Sequence, residues 1–389
     1  MLALSVLGIA PVVHAGSNGV DNGPSAIALS YDSQHLALIE SDHGKSRLEL
    51  ANPSGSHLRV VDLPGGCAVR SIRWEPKRDL LAALTQCGGK SDPSGTSSAV
   101  WLLDVQAGKR PRKLAELRGS ARDAQWMGNG KVGLKIAFLY APDGNGHFVA
   151  AAVPLANGTV QAITPATLDV REFRCSLYWS ALMFTAVPVG ADDSAVVPEL
   201  FEKNLGDNSA PTLVFNPNTA KGTLHDLYVT EPRLGADPGP TLVFLGKALK
   251  DSSSGNLYLV PRAKAGATPI NLTKNRKFKP SWITFAGGGV PLATQVVDGR
   301  TEVVTFFIGD GETWADKATL MFSLPGTISD GRAPSSFSTT VRTSWNSGVP
   351  SIAFLQRASA GAPAVARVGR IGTQPPPRIE LAKEAIAAQ

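Results

Sequence analysis

Ser71-Ile-Arg-Trp-Glu-Pro-Lys-Arg-Asp-Leu-Leu-Ala-Ala-Leu84 decides the fold, because it reads as a short strand ending in an aromatic, a polar turn, and an apolar strand. The outline returns in Ser344-Trp-Asn-Ser-Gly-Val-Pro-Ser-Ile-Ala-Phe-Leu355. It returns more loosely in Gln125-Trp-Met-Gly-Asn-Gly-Lys-Val132 and Ser281-Trp-Ile-Thr-Phe-Ala-Gly-Gly-Gly-Val290. In Ala28-Leu-Ser-Tyr-Asp-Ser-Gln-His-Leu-Ala-Leu38, Leu29 takes the place of the tryptophan. Trp74, Trp126, Trp179, Trp282 and Trp345 thus recur at intervals of about 50 residues, with one copy skipped, and that is the length of a four-stranded propeller blade.

A second hairpin is expected after each of these. The candidates are Arg47 to Leu63, Ala99 to Leu117, His147 to Thr164, Pro211 to Leu227, Gly255 to Thr273, Ala318 to Phe337 and Pro363 to Leu381. Asn52-Pro-Ser-Gly55, Gln106-Ala-Gly108, Asn157-Gly158 and Asn216-Pro-Asn218 supply turn chemistry at their centres. Two hairpins per repeat, seven times, predict an all-β propeller of about seven four-stranded blades over residues 26–382. The fifth repeat is weak: in Thr230 to Leu245 only Thr241 to Leu245 reads as a strand, its partner being obscured by Pro232, Pro238 and Pro240. That leaves six or eight blades open. The chain enters on an inner strand near Ile27 and leaves on an outer one near Ile379, so the first and last blades are each complete. Ring closure is then expected to rest on packing, without a swapped strand. The five tryptophans are read as blade core, each filling the space between adjacent sheets.

Composition agrees. Only 18% of residues are charged, 43% are hydrophobic, and 39 glycines and 28 prolines punctuate the 389-residue chain, which suits a folded β protein and not a disordered one. The net charge of +6 comes from 38 basic and 32 acidic residues dispersed along the chain, so no nucleic-acid partner is inferred. Lys109, Arg110, Arg112 and Lys113, like Lys274, Arg276, Lys277 and Lys279, read as solvated hairpin tips.

Residues 1–15 form an apolar run closing in Val13-His14-Ala15, which resembles a signal-peptide core with a small-residue cleavage site, although no Lys or Arg precedes it. No other run approaches the ~18 apolar residues of a membrane span. A periplasmic or secreted location is expected, and residues 383–389 read as a tail or a truncated linker. Three cysteines suit an oxidising compartment without making a disulfide scaffold. Cys67 and Cys87 bracket two strand-like runs; in an antiparallel hairpin they meet, and a disulfide and two separate thiols both remain open. Cys175 reads as a buried free thiol. Neither cofactor nor metal is assigned: Asp143-Gly-Asn-Gly146 lacks the later glutamate of a calcium loop, and none of the six histidines sits in a metal or catalytic motif.

The outline Trp74-Glu-Pro-Lys-Arg-Asp-Leu-Leu81 resembles the Trp-Ser-Pro-Asp-Gly turns of TolB-type propellers and of the N-terminal propellers of the prolyl oligopeptidase and dipeptidyl peptidase IV families. Ser30-Tyr-Asp-Ser-Gln-His-Leu-Ala37 is the nearest copy of the Ser-Pro-Asp-Gly turn, with Tyr31 for its proline and Ser33 for its glycine. The peptidase resemblance implies a separate α/β-hydrolase domain of about 250 residues. The sequence carries no Gly-x-Ser-x-Gly nucleophile elbow, so no catalytic residue carries over. Two functions are therefore expected: a non-catalytic exported module that binds a protein or peptide, or the detached substrate-gating propeller of a peptidase of this type.

Overall fold

The computed structural model describes residues 23–219, apart from residues 31, 33, 43–44, 53–57, 76–77, 89–94, 107, 129–132, 143–145, 157, 176–180 and 192–195, and then the strands between 227 and 381. The expected leader, Trp179, Trp345, the second basic cluster, Asp143-Gly-Asn and the tail at 383–389 lie outside the described residues. Among the described residues no helix is long and apolar enough to cross a membrane.

Strands follow one another in antiparallel meanders. The first sheet holds β1 (Gly23–Leu29), β2 (Leu36–Asp42), β3 (Lys45–Ala51) and β4 (Arg59–Val61) in chain order. The next seven strands form one sheet: β5 (Ala68–Trp74), β6 (Leu80–Cys87), β7 (Ser97–Asp104), β8 (Arg112–Met127), β9 (Lys135–Pro142), β10 (Val149–Pro154) and β11 (Gln161–Ala162). It resolves into two four-stranded units that share β8. Residues 112–118 of that strand pair with β7 and residues 119–127 with β9. Gly119 sits at the changeover with φ 110°, a conformation L side chains avoid. Ser98 stitches this bend: its hydroxyl donates to the Gly119 carbonyl at 2.9 Å and accepts from the Ala121 amide at 3.0 Å.

Four further sheets complete the described strands. They are β12 (Leu168–Cys175), β13 (Ala181–Pro188), β14 (Glu199–Asn204) and β15 (Thr212–Phe215); β16 (Leu227–Leu234), β17 (Thr241–Ala248), β18 (Gly255–Pro261) and β19 (Ile270–Asn271); β20 (Trp282–Phe285), β21 (Pro291–Val297), β22 (Arg300–Phe306) and β23 (Ala318–Pro325); β24 (Thr327–Ser329), β25 (Ser351–Arg357), β26 (Val365–Ile371) and β27 (Ile379–Leu381). Counted with the shared strand divided, the described residues make seven four-stranded units.

Three expectations are corrected. The hairpin placed at Pro211 to Leu227 is β14–β15 instead, since Thr212–Phe215 is an outer strand and Leu227 already opens the next unit. The hairpin placed at Ala318 to Phe337 is β22–β23, because β24 begins the last unit. The weak fifth repeat has a full partner strand, with Pro232 opposite Phe244 in β16. Proline is tolerated there because β16 is the edge of its sheet and a ladder bond is not required on its open side.

Apolar side chains fill the spaces between successive sheets. One cluster joins the first unit to the second through Ile39, Leu48, Ile72, Trp74 and Leu81; others join the second to the third and the third to the fourth. The last and first units meet in a further cluster, Ile27, Leu29, Leu36 and Leu38 against Ala353, Leu355 and Ala366. Both end units carry four strands consecutive in sequence, so among the described residues no strand crosses this seam, and the apolar cluster packs the two units together.

Candidate functional site

The first strand of each unit is where the units converge, since β1 touches β5, β8 touches β12, and β12 and β20 both touch β16. Five of these first strands, β1, β5, β8, β12 and β16, carry a bulge, while the pairings of β20 and β24 run unbroken. The register slips between Pro24 and Ala26, Val69 and Ser71, Arg122 and Gln125, Val170 and Glu172, and Val229 and Glu231. A bulge turns a side chain out of the pleat and leaves its residue without a ladder partner. Arg70 and Arg171 stand at this position in the second and fourth units, and Asp123, in the left-handed region with φ 58°, does so in the third.

A second position recurs just before the strand's end. Ala28, Arg73, Gln125, Arg174 and Arg233 oppose Ala37, Ala82, Ala137, Met183 and Val243, the second residue of the partner strand in the first unit and the third in the others. The inner strands of the second and fourth units thus carry Arg70 and Arg73, and Arg171 and Arg174 with Glu172 between them, while β8 carries Arg122 beside Asp123. Arg171 Nη2 lies 3.0 Å from the buried Asp169 carboxylate, which also accepts from the Phe148 amide at 2.8 Å. Arg122 donates to the Arg171 carbonyl at 3.2 Å and lies 4.3 Å above the Phe148 ring. The Arg70 side chain is exposed, yet desolvation by the surrounding protein lowers its pKa below the usual arginine value. A cation in a space walled by protein has both properties.

The tryptophans divide. Trp74 and Trp126 are equivalent, both buried and both hydrogen-bonded backward to the preceding unit. The Trp74 indole donates to the Ala28 carbonyl at 3.0 Å, and that of Trp126 to the Arg73 carbonyl at 2.8 Å. Ala28 precedes Leu29 as Arg73 precedes Trp74, so the two bonds are one repeated rung. In the fourth unit the corresponding residue is Cys175, paired with Leu182 as Trp74 is with Leu81. Trp282 is out of register: it opposes Thr294, two pairs further from the turn. Spacing near 50 residues locates a blade without fixing the position within it. Cys67 and Cys87 are joined as a disulfide across the ends of the β5–β6 hairpin, with Cα atoms 4.6 Å apart. Cys175 is a free, half-buried thiol whose pKa is pushed up by desolvation, with Arg174 opposing.

A second group of polar residues sits where the β1–β2 and β5–β6 turns meet. Asp32, His35 and Asp79 bring one ligand atom each within 4.8 Å of one another. Neither sequence spacing nor any motif signals this group, because its members come from turns of two different units.

No protein-family model matches the chain, and no curated protein matches its sequence. Solved structures do. A chain from a study of two prolyl endopeptidases superposes with TM-score 0.57 at 11% identity, over 93% of this chain and 50% of that one. The β-propeller domain of the Trilobed protease from Pyrococcus furiosus, described as an open velcro topology, gives 0.56 at 11% identity over 94% and 99%. A puromycin-hydrolyzing peptidase of Mycobacterium tuberculosis gives 0.55 at 14% identity over 95% and 54%. The chain spans half the length of the prolyl endopeptidase and nearly all of the isolated propeller domain. At these identities the likeness concerns the fold, and the fold is a β-propeller of the architecture found in these peptidases.

Proposed function

We propose that this chain is a non-catalytic binding propeller whose inner strands engage an acidic segment of a protein or peptide. The observation that carries the reading is the recurrence of arginine at the same two inner-strand positions, one of them a bulge, in the second and fourth units: Arg70 and Arg73, then Arg171 and Arg174. Arginine in a partly desolvated space binds carboxylates in a forked geometry and more strongly than at an open surface. The Cys67–Cys87 disulfide supports an oxidising compartment, periplasmic or extracellular, since such bonds are seldom kept in a reducing cytosol.

The test is fluorescence anisotropy of labelled octapeptides, acidic, neutral and basic, titrated with the full chain. The acidic peptide is expected to bind with a Kd that rises with salt, and Arg70→Ala with Arg73→Ala is expected to weaken it roughly 10-fold or more. Equal binding of acidic and basic peptides, or none, overturns the reading.

The half-length match to a prolyl endopeptidase favours a second reading, a propeller that gates the substrates of an α/β-hydrolase encoded separately. Sequencing downstream of the coding region tests it: a hydrolase reading frame with a nucleophile elbow supports gating, and an unrelated gene counts against it.

A further inference from the structure

We infer that Asp32, His35 and Asp79 form a binding site for one divalent transition cation, with zinc as the best match, clipping the first unit to the second. The site is built from both sides. On the first unit the β1–β2 turn is closed by two bonds between the same residues: the Ser30 amide donates to the His35 carbonyl at 2.8 Å, and the His35 amide to Ser30 Oγ at 2.8 Å. Asp32 Oδ1 accepts from Ser30 Oγ at 2.6 Å and from the Gln34 amide at 3.0 Å, which orients the carboxylate while its other oxygen stays available. On the second unit the Glu75 amide donates to the Leu80 carbonyl at 2.8 Å, and the Val105 amide to the Asp79 carbonyl at 3.0 Å, so the backbone of Asp79 is pinned.

The decisive observation is Asp79 itself. It is 8% exposed, and its Oδ1 is buried without a hydrogen-bond partner. An ionised carboxylate oxygen in that state is costly, and a cation is the group that relieves it. His35 faces the same place with its ring stacked on the Trp74 indole, the centroids 5.9 Å apart and the planes at 24°. Trp74 is fixed in turn by its bond to Ala28. The histidine is thus held by an aromatic wall, as supporting contacts hold a metal-ligating imidazole.

Two carboxylates and one imidazole suit zinc or a neighbouring divalent ion, with water completing the coordination. Bonds of ~2.1 Å place tetrahedral ligand atoms ~3.4 Å apart. The three ligand atoms lie within 4.8 Å of one another, so coordination requires them to draw together by up to about 1.4 Å. Deprotonated ligands are required, so binding releases protons and weakens in acid.

The test uses the full chain, stripped with a chelator and dialysed. Zinc is titrated by calorimetry and cobalt by its visible absorption, while tryptophan emission, compared with that of a Trp74→Phe chain to isolate one of the seven tryptophans, reports on the Trp74–His35 stack. One equivalent is expected to bind, changing the emission and giving cobalt a tetrahedral-type spectrum. Asp79→Asn, of almost the same shape, and His35→Ala are each expected to weaken zinc roughly 100-fold and abolish the cobalt spectrum. Far-UV circular dichroism shows whether either variant is folded; Asp32→Asn, on the more exposed turn, is a third variant that reads the same site. Absence of binding in the wild type, or binding unchanged in the folded variants, overturns the inference.

Discussion

Replacing Trp74 by Phe should weaken the joint between the first two units by a predictable amount. The substitution keeps an aromatic ring at a position 5% exposed and removes the indole N–H that donates to the Ala28 carbonyl. Loss of one such bond costs about 0.5–1.5 kcal/mol, and the volume lost from indole to phenyl adds roughly 1 kcal/mol. At ~2.1 cal/mol/K per residue, the unfolding entropy of a chain this long turns about 2 kcal/mol into a fall in Tm of roughly 2–3 °C, if the ring unfolds as one unit. Trp126→Phe should match it, because its bond to the Arg73 carbonyl is the same rung one unit along. Trp101→Phe is the informative comparison. Its indole donates to Thr85 Oγ1 within its own sheet while its ring packs in the same cluster as Trp74, so it removes packing from the joint without removing the bond across it. Calorimetry gives the shift, and amide exchange in β1 and β5 separates the cases: it should quicken more for Trp74→Phe than for Trp101→Phe. A shift below about 0.5 °C in both Trp74→Phe and Trp126→Phe would refute the rung as a stabilising element.

Three other perturbations follow from the same structure. Reducing the Cys67–Cys87 bond, which closes a separation of 20 residues, should lower stability to urea by about 3 kcal/mol, and a Cys67→Ser, Cys87→Ser chain should be insensitive to reductant. Leu355→Ala, in the cluster joining the last unit to the first, should cost about 2–5 kcal/mol and speed exchange in β1 and β25 before the middle of the chain. Burial raises the pKa of Glu199 above its ordinary 4.5, so the native chain holds this proton longer than the unfolded one. Its contribution is therefore lost as pH climbs through that window, and wild type should fall behind Glu199→Gln between acid and neutral pH in urea titrations.

The repeat was legible because it is a matter of counting. A blade needs four strands and their turns, and aromatic residues spaced near 50 report that length even where they lie in different registers, as Trp282 and Trp74 do. Position within the blade was not legible. Cys175 fills the place of Trp74 in the fourth unit, and only the pairing of Cys175 with Leu182 reveals it. Pro232 hid a strand for a related reason: proline argues against a central strand, and nothing local says that β16 is an edge. The Cys67–Cys87 contact followed from hairpin logic because both ends belong to one hairpin. Asp32, His35 and Asp79 belong to two, and their meeting depends on how one sheet rotates against the next, which no spacing encodes.

The inner strands concentrate the irregular chemistry for a physical cause that connects these failures. A first strand is hydrogen-bonded on one side only, so it tolerates a bulge at Arg70 or Arg171, a proline at 232 and a left-handed aspartate at 123 at little cost to its sheet. The second strands have no such freedom: Leu81 to Leu84, Ile136 to Leu139 and Leu182 to Phe184 are fully buried on both faces, and their sequences are correspondingly uniform. Stability thus resides in the strands that sequence patterning reads well. Charge, bulges and the open edge lie on the strands it reads poorly, and those strands are also the ones that meet where the units converge. A ligand bound there would be read by residues that contribute little to the sheets, so substitutions at Arg70, Arg73 or Arg174 should alter binding while leaving Tm within about 1 °C of wild type. If those substitutions instead unfold the chain, the arginines belong to the joints between units, and the binding surface has to be sought on the turns at the rim.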